Sequence, residues 1–246
     1  MKRAKKIFVI FAAVIAVCFG AYRMYAGQYY HVQEDAAEYW VGQPQVTYDE
    51  AGFFSSEKWI GFGNPESETG VIFYGGAKVE EAAYIPLMTR LAEKGLYAVL
   101  VYMPDRMAIL DTDRALDVME DNPEVERWFI GGHSLGGAMA AGFAAEREDV
   151  SGLFLLAAYS TKAQEIPVLS IYGDQDQVLN LEKYEEYRSN LPEDTVELVI
   201  EGGNHAEFGC YGAQDGDGLA DISQEEQQEI TAKTIAAWIE RAADGR

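Results

Sequence analysis

Gly132-His133-Ser134-Leu135-Gly136 is a G-x-S-x-G pattern, in which a strand turns sharply into a helix and presents a serine hydroxyl at the turn. The glycines matter because a strained backbone at the serine leaves no room for neighbouring Cβ atoms. A serine hydroxyl is a poor nucleophile at neutral pH and needs a base within hydrogen-bond reach. The chain has three histidines. His31 precedes the folded region, and His133 adjoins the serine with its side chain directed away across the turn. That leaves His205, in Gly202-Gly-Asn-His205, just after the apolar run 196–200.

A base of this kind needs a carboxylate to fix its tautomer and stabilise the imidazolium. Gly173-Asp174-Gln175-Asp176 follows another apolar run and places two acids between Ser134 and His205 in sequence. Asp176 is the expected partner. Asp174 has an alternative role in capping the turn or the helix that begins at Leu181. An acyl-transfer site also needs donors for a developing oxyanion. The N–H of Leu135, directly after the nucleophile, is one. Gly75-Gly76-Ala77 follows the run 71–74, and either Gly76 or Ala77 supplies the second.

The elements that position these residues read as an α/β pattern. Apolar runs at 71–74, 98–102, 128–130, 153–156, 168–171 and 196–200 are nearly continuous, as in parallel strands covered on both faces. An earlier edge strand is expected at 58–61. Helices are expected over 80–94, 135–146 and 181–190, with a last one opened by the Ser223-x-x-Glu226 capping box. The alternation predicts a mostly parallel, doubly wound sheet.

The elbow with its flanking glycine, the acid loop Gly173-x-x-Asp176 and Asn204-His205 resemble the α/β-hydrolase superfamily of esterases, lipases and related hydrolases. Tyr74-Gly-Gly-Ala-Lys-Val79 and His205-Ala-Glu-Phe-Gly-Cys-Tyr-Gly212 are similar to a group of small bacterial members with an N-terminal anchor. The resemblance covers roughly residues 46–244. It implies an α/β-hydrolase fold and a catalytic set of Ser134, Asp176 and His205, with no cofactor and no metal. Only residues 159–167 join two successive strands, so no cap domain is expected. An open cleft of this kind favours short or soluble acyl substrates. The expected activity is hydrolysis of a small-molecule carboxylic ester or thioester through an acyl-enzyme on Ser134. An acyltransferase or amidase with the same triad, and a non-catalytic binding protein on a hydrolase scaffold, are the alternatives.

Composition narrows the setting. The 246 residues suffice for one α/β domain plus an appendage, and the 48% hydrophobic content fills a core. Lys2, Arg3, Lys5, Lys6 and Arg23 are the basic residues before position 24. The 14 others face all 41 acidic ones, a net −27 that disfavours nucleic-acid binding. Cys18 and Cys210 have neither disulfide nor metal-site spacing. After the four leading cations, residues 7–26 form an apolar run of roughly 30 Å at helical rise. No small-x-small cleavage site follows, so residues 1–26 are expected to be an uncleaved transmembrane signal-anchor. Residues 27–45 then form a juxtamembrane stalk, and 46–246 an extracytoplasmic catalytic domain.

Overall fold

The computed structural model describes residues 2–33, 54–55 and 58–243. The expected start of the domain at Val46 and most of the expected stalk lie outside these. Eight strands form one sheet: β1 (Phe54–Ser55), β2 (Trp59–Phe62), β3 (Thr69–Tyr74), β4 (Tyr97–Val101), β5 (Arg127–His133), β6 (Val150–Leu156), β7 (Val168–Gly173) and β8 (Val196–Ile200). Their order is β1-β2-β4-β3-β5-β6-β7-β8. β1 and β2 run antiparallel, as do β2 and β4, and every other pair is parallel. The run expected as an edge strand is therefore second in the sheet. The two-residue β1 outside it is too short to leave a periodic signal.

Helix α1 (Lys2–Ala26) precedes the domain; α2 (Ile85–Glu93), α3 (Ala115–Asp121), α4 (Leu135–Ala144), α5 (Leu181–Tyr187) and α6 (Gln224–Ala243) follow. Side chains alternate across the sheet. Val71, Phe73, Phe129 and Phe154 pack with Leu87, Leu91, Ile235 and Trp238 of α2 and α6. Ile72, Tyr74, Ile130 and Leu155 face the other way, with Val118 and Ala140 of α3 and α4. Continuous apolar strands follow from this, because both faces are covered. Two expected helices begin or end in tighter turns. Residues 80–94 are a 3-10 turn (Glu81–Tyr84) before α2, since Pro86 lacks an N–H and sits in the first helical turn. Residues 181–190 are α5 and a 3-10 turn, Arg188–Asn190. The last helix starts where its cap predicts, with Ser223 Oγ accepting from the Glu226 N–H at 3.2 Å.

Residues 157–167 join β6 to β7 with no helix or strand between them. The loops after β3, β5, β7 and β8 all leave the same end of the sheet. Register makes them neighbours: Tyr74 pairs with Gly132, and Gly173 with Ile200.

The helix α1 contains a stretch, Lys6–Ala26, with mean hydropathy 2.2, long and apolar enough to cross a membrane; it is exposed along most of its length, and Ala26 at its end is buried. Residues 27–33, the described part of the expected juxtamembrane stalk, lie on the domain. Tyr30 makes a parallel bridge with Val79, its N–H donating to Lys78 O at 2.7 Å while its C=O accepts from Glu80 at 2.9 Å. The Gln33 N–H donates to Cys210 O at 2.9 Å.

Candidate active site

Strand β5 delivers Ser134 to the tip of a turn at φ 53° and ψ −123°, a backbone region that costs a non-glycine residue about 1–3 kcal/mol. The Ser134 N–H is held by Leu156 O at 2.9 Å. The flanking glycines are steric necessities. A Cβ on Gly132 would lie 2.5 Å from Tyr74 O, and one on Gly136 would lie 2.3 Å from both Tyr74 O and Gly75 O. Those oxygens belong to the backbone between β3 and the Gly76-Ala77 loop, so the elbow and that loop are pressed together. Gly136→Ala is accordingly expected to cost at least ~2–3 kcal/mol of stability or to prevent folding. Urea denaturation of the variant in detergent would show it; an unchanged midpoint would mean that the backbones separate easily.

The acid and the base meet. His205 Nδ1 lies 2.8 Å from Asp176 Oδ2, and both side chains are almost wholly buried. Asp176 Oδ1 accepts from the Val178 and Leu179 N–H groups at 2.8 Å each, which fixes the side chain and turns Oδ2 toward His205. The His205 Nδ1–H therefore donates to Asp176, and the basic lone pair is on Nε2. That atom makes no hydrogen bond among the described residues. Ser134 and His205 border one cavity of about 320 Å³, whose lining includes the apolar Leu135, Ala138, Val178 and Leu179 and the polar Thr161 and Asn180. Asp174 is elsewhere: its Oδ1 accepts from the Gly202 N–H at 2.8 Å, bracing the loop that carries His205.

That loop is braced further by residues the sequence did not flag. Gln227, buried on α6, grips the Asn204 peptide from both sides, its Oε1 accepting from Asn204 N at 2.9 Å and its Nε2 donating to Asn204 O at 2.8 Å. Asp217 accepts from Ala206 N at 2.9 Å and from Gln177 N at 3.2 Å, tying the base loop to the acid loop.

Tyr84 is the other unforeseen residue. Its buried hydroxyl accepts from the Gly76 N–H and meets His133 Nδ1, both at 2.9 Å. The hydroxyl's own hydrogen therefore goes to His133 Nδ1, which places the proton of that neutral ring on Nε2. Burial holds the Tyr84 hydroxyl far above its usual range and keeps it protonated. Burial, and then the neighbouring His205, drive His133 well below the ordinary histidine range. The two imidazoles are 4.5 Å apart. The Gly76 N–H is engaged by Tyr84, whereas the Ala77 N–H meets no acceptor among the described residues. Leu135, as the first residue of α4, has an N–H outside the helical ladder. Tyr84→Phe would strand the Gly76 N–H and His133 Nδ1 in the core, at about 1–3 kcal/mol each way. A fall in the urea midpoint is expected; an unchanged midpoint would show that the pair finds other partners.

The family model described as "Alpha/beta hydrolase family" matches residues 70–229, which include Ser134, Asp176 and His205. The chain belongs to the alpha/beta hydrolase family. No curated protein matches this hydrolase in sequence. Solved structures share its fold. The Paleococcus ferrophilus monoacylglycerol lipase is 15% identical at a TM-score of 0.55, over 74% of this chain and 100% of that one. Est1E from Butyrivibrio proteoclasticus is 17% identical at 0.54, over 76% and 98%. The Pyrococcus furiosus esterase Pf2001 is 15% identical at 0.56, over 80% and 90%.

Proposed function

We propose that this α/β-hydrolase cleaves a carboxylic ester or thioester through an acyl-enzyme on Ser134. The observation that carries the reading is the buried His205–Asp176 pair at 2.8 Å, whose unengaged Nε2 borders the same cavity as the strained Ser134. Ser134 Oγ attacks the carbonyl carbon and its proton passes to His205 Nε2. The Asp176 carboxylate stabilises the imidazolium so formed. The Leu135 and Ala77 N–H groups take the oxyanion. Collapse breaks the carbon–oxygen or carbon–sulfur bond, and His205 returns the proton to the leaving alcohol or thiol. Water, deprotonated by His205, then releases the carboxylic acid and restores Ser134. At about 320 Å³ the cavity is at the small end of ligand sites and suits a short acyl group.

The setting belongs to the same reading. Helix α1 anchors the protein in a membrane, and the cations at positions 2, 3, 5 and 6 keep its start in the cytoplasm, so the catalytic domain lies on the outer face. Protease added to spheroplasts should digest the domain; a protected domain would reverse the orientation. The chemistry is tested with full-length protein in detergent and 4-nitrophenyl esters of graded acyl length. Hydrolysis with a pre-steady-state burst is expected, fastest with short chains. Failure to cleave any of them would overturn the assignment.

A further inference from the structure

The membrane helix and the catalytic rim are joined with almost no spacer. In the last two turns of α1, Tyr22 OH donates to Asp105 Oδ2 at 2.5 Å and Arg23 lies 3.2 Å from Asp105 Oδ1. Asp105 belongs to the turn after β4, at the end of the sheet where Ser134 stands. Just past α1, Tyr30 bridges to Val79, two residues from Ala77. The Lys78 ammonium sits 4.1 Å over the Tyr25 ring, and the Arg106 guanidinium 3.6 Å over Tyr29. Aromatic rings interleaved with snorkelling cations at the end of an apolar helix mark headgroup depth. The loop carrying Gly76 and Ala77 is thus fastened at that depth.

The same rim exposes aliphatic side chains that the domain does not need. Ile109 is 59% and Leu110 48% exposed. Ile109 is only four residues beyond Asp105, within about 14 Å even if the chain were fully extended. Leu181 and Leu219 are also exposed, beside the loops that carry Asp176 and His205. Among the described residues, the other large hydrophobics exposed to this degree are on α1 itself and on strand β8, at Val196 and Val199.

Resting on the anchor and esterase reading above, we infer that this rim lies on the bilayer, so that the cleft takes its substrate from the membrane. The substrate is a short-acyl ester of a membrane-resident alcohol. The apolar alcohol stays in the lipid while the small acyl group enters the cavity beside Ser134. The rim is continuous with the span, and the occupant of its exposed aliphatics is therefore lipid rather than a second protein. Residues 157–167 carry no helix or strand that would have to open when the protein meets lipid.

The test uses full-length protein reconstituted in phosphatidylcholine vesicles and two butyrate esters with the same acyl group. One is soluble 4-nitrophenyl butyrate, and the other is hexadecyl butyrate dissolved in the same bilayer. The double variant Ile109→Ser/Leu110→Ser should lose about tenfold in kcat/KM on hexadecyl butyrate, as expected for withdrawing two aliphatic contacts from lipid. Its rate on the soluble ester should stay at the wild-type value. The control Val196→Ser/Val199→Ser should leave both rates unchanged. Equal loss on both esters, or loss on neither, would overturn the inference. So would an equal selective loss in the control, or a rim variant that turns a detergent-solubilised dimer into a monomer. Wild-type protein inert toward both esters would fail the esterase reading, and removal of the protein from vesicles by carbonate would fail the anchor reading.

Discussion

Ser134→Ala is expected to lower kcat for ester hydrolysis on the order of 10⁴–10⁶-fold, the range seen when a nucleophile acting within a triad is removed. The fold should survive. Alanine carries the same Cβ as serine, so the strain at φ 53° is unchanged, and Ser134 Oγ makes no hydrogen bond within the described residues. The residual rate should reflect the oxyanion donors and the cavity alone. Thermal unfolding of the variant separates the two effects. A wild-type melting curve with lost turnover supports a chemical role. A variant that retains turnover would remove Ser134 from the reaction.

The second large effect concerns the two acids of one loop. Asp176→Asn should cost about 10⁴-fold in kcat, whereas Asp174→Asn should change it little. In the Asp176 variant, an amide NH₂ facing His205 Nδ1 would make that nitrogen an acceptor and move the ring proton to Nε2. The imidazole then cannot take the serine proton. The amide oxygen would still accept from Val178 and Leu179, so the loop should stay in place. At position 174 an asparagine oxygen can go on accepting from the Gly202 N–H. Steady-state kinetics of both variants, with thermal melts as control, decides between them. Similar losses from both would mean that loop geometry, and not the tautomer of His205, was disturbed.

The contrast between these acids shows where sequence reading reaches its limit. The sharp turn at Ser134 is legible because G-x-S-x-G lies between an apolar strand and a small-residue helix. His205 stands out because the other two histidines have poor positions, and the fold brings it to Asp176. Asp176 could be preferred to Asp174, but their separate hydrogen bonds are properties of the folded loop. The donor from Gly76-Ala77 was undecidable, since the direction of a backbone N–H there depends on Tyr84, brought in from a turn before α2. Gln227 and Asp217 were equally hidden. Their contacts join segments distant in the chain or loops without periodicity, and an exposed-looking glutamine on a helix carries no sign that it grips a peptide.

The sheet was readable for a physical reason of the same kind. Strands buried on both faces leave continuous apolar runs, so their centres stand out, but their pairing does not. The two-residue β1 carries no pattern at all. Helix ends were readable where a side chain makes the cap, as at Ser223, and misread where a 3-10 turn adjoins an α-helix, as at Glu81–Tyr84. The docking of residues 27–33 rests on backbone hydrogen bonds and ring–cation contacts to Lys78 and Arg106, which sequence distance conceals.

The most direct measurement is the site of covalent capture. Full-length protein is treated with a fluorophosphonate, digested, and its peptides are mapped by mass spectrometry. The account predicts one phosphonyl adduct, on Ser134, which forms in the wild type, slows sharply in Asp176→Asn and is absent from Ser134→Ala. An adduct on another residue, or a wild-type protein that hydrolyses esters yet never forms one, would contradict it.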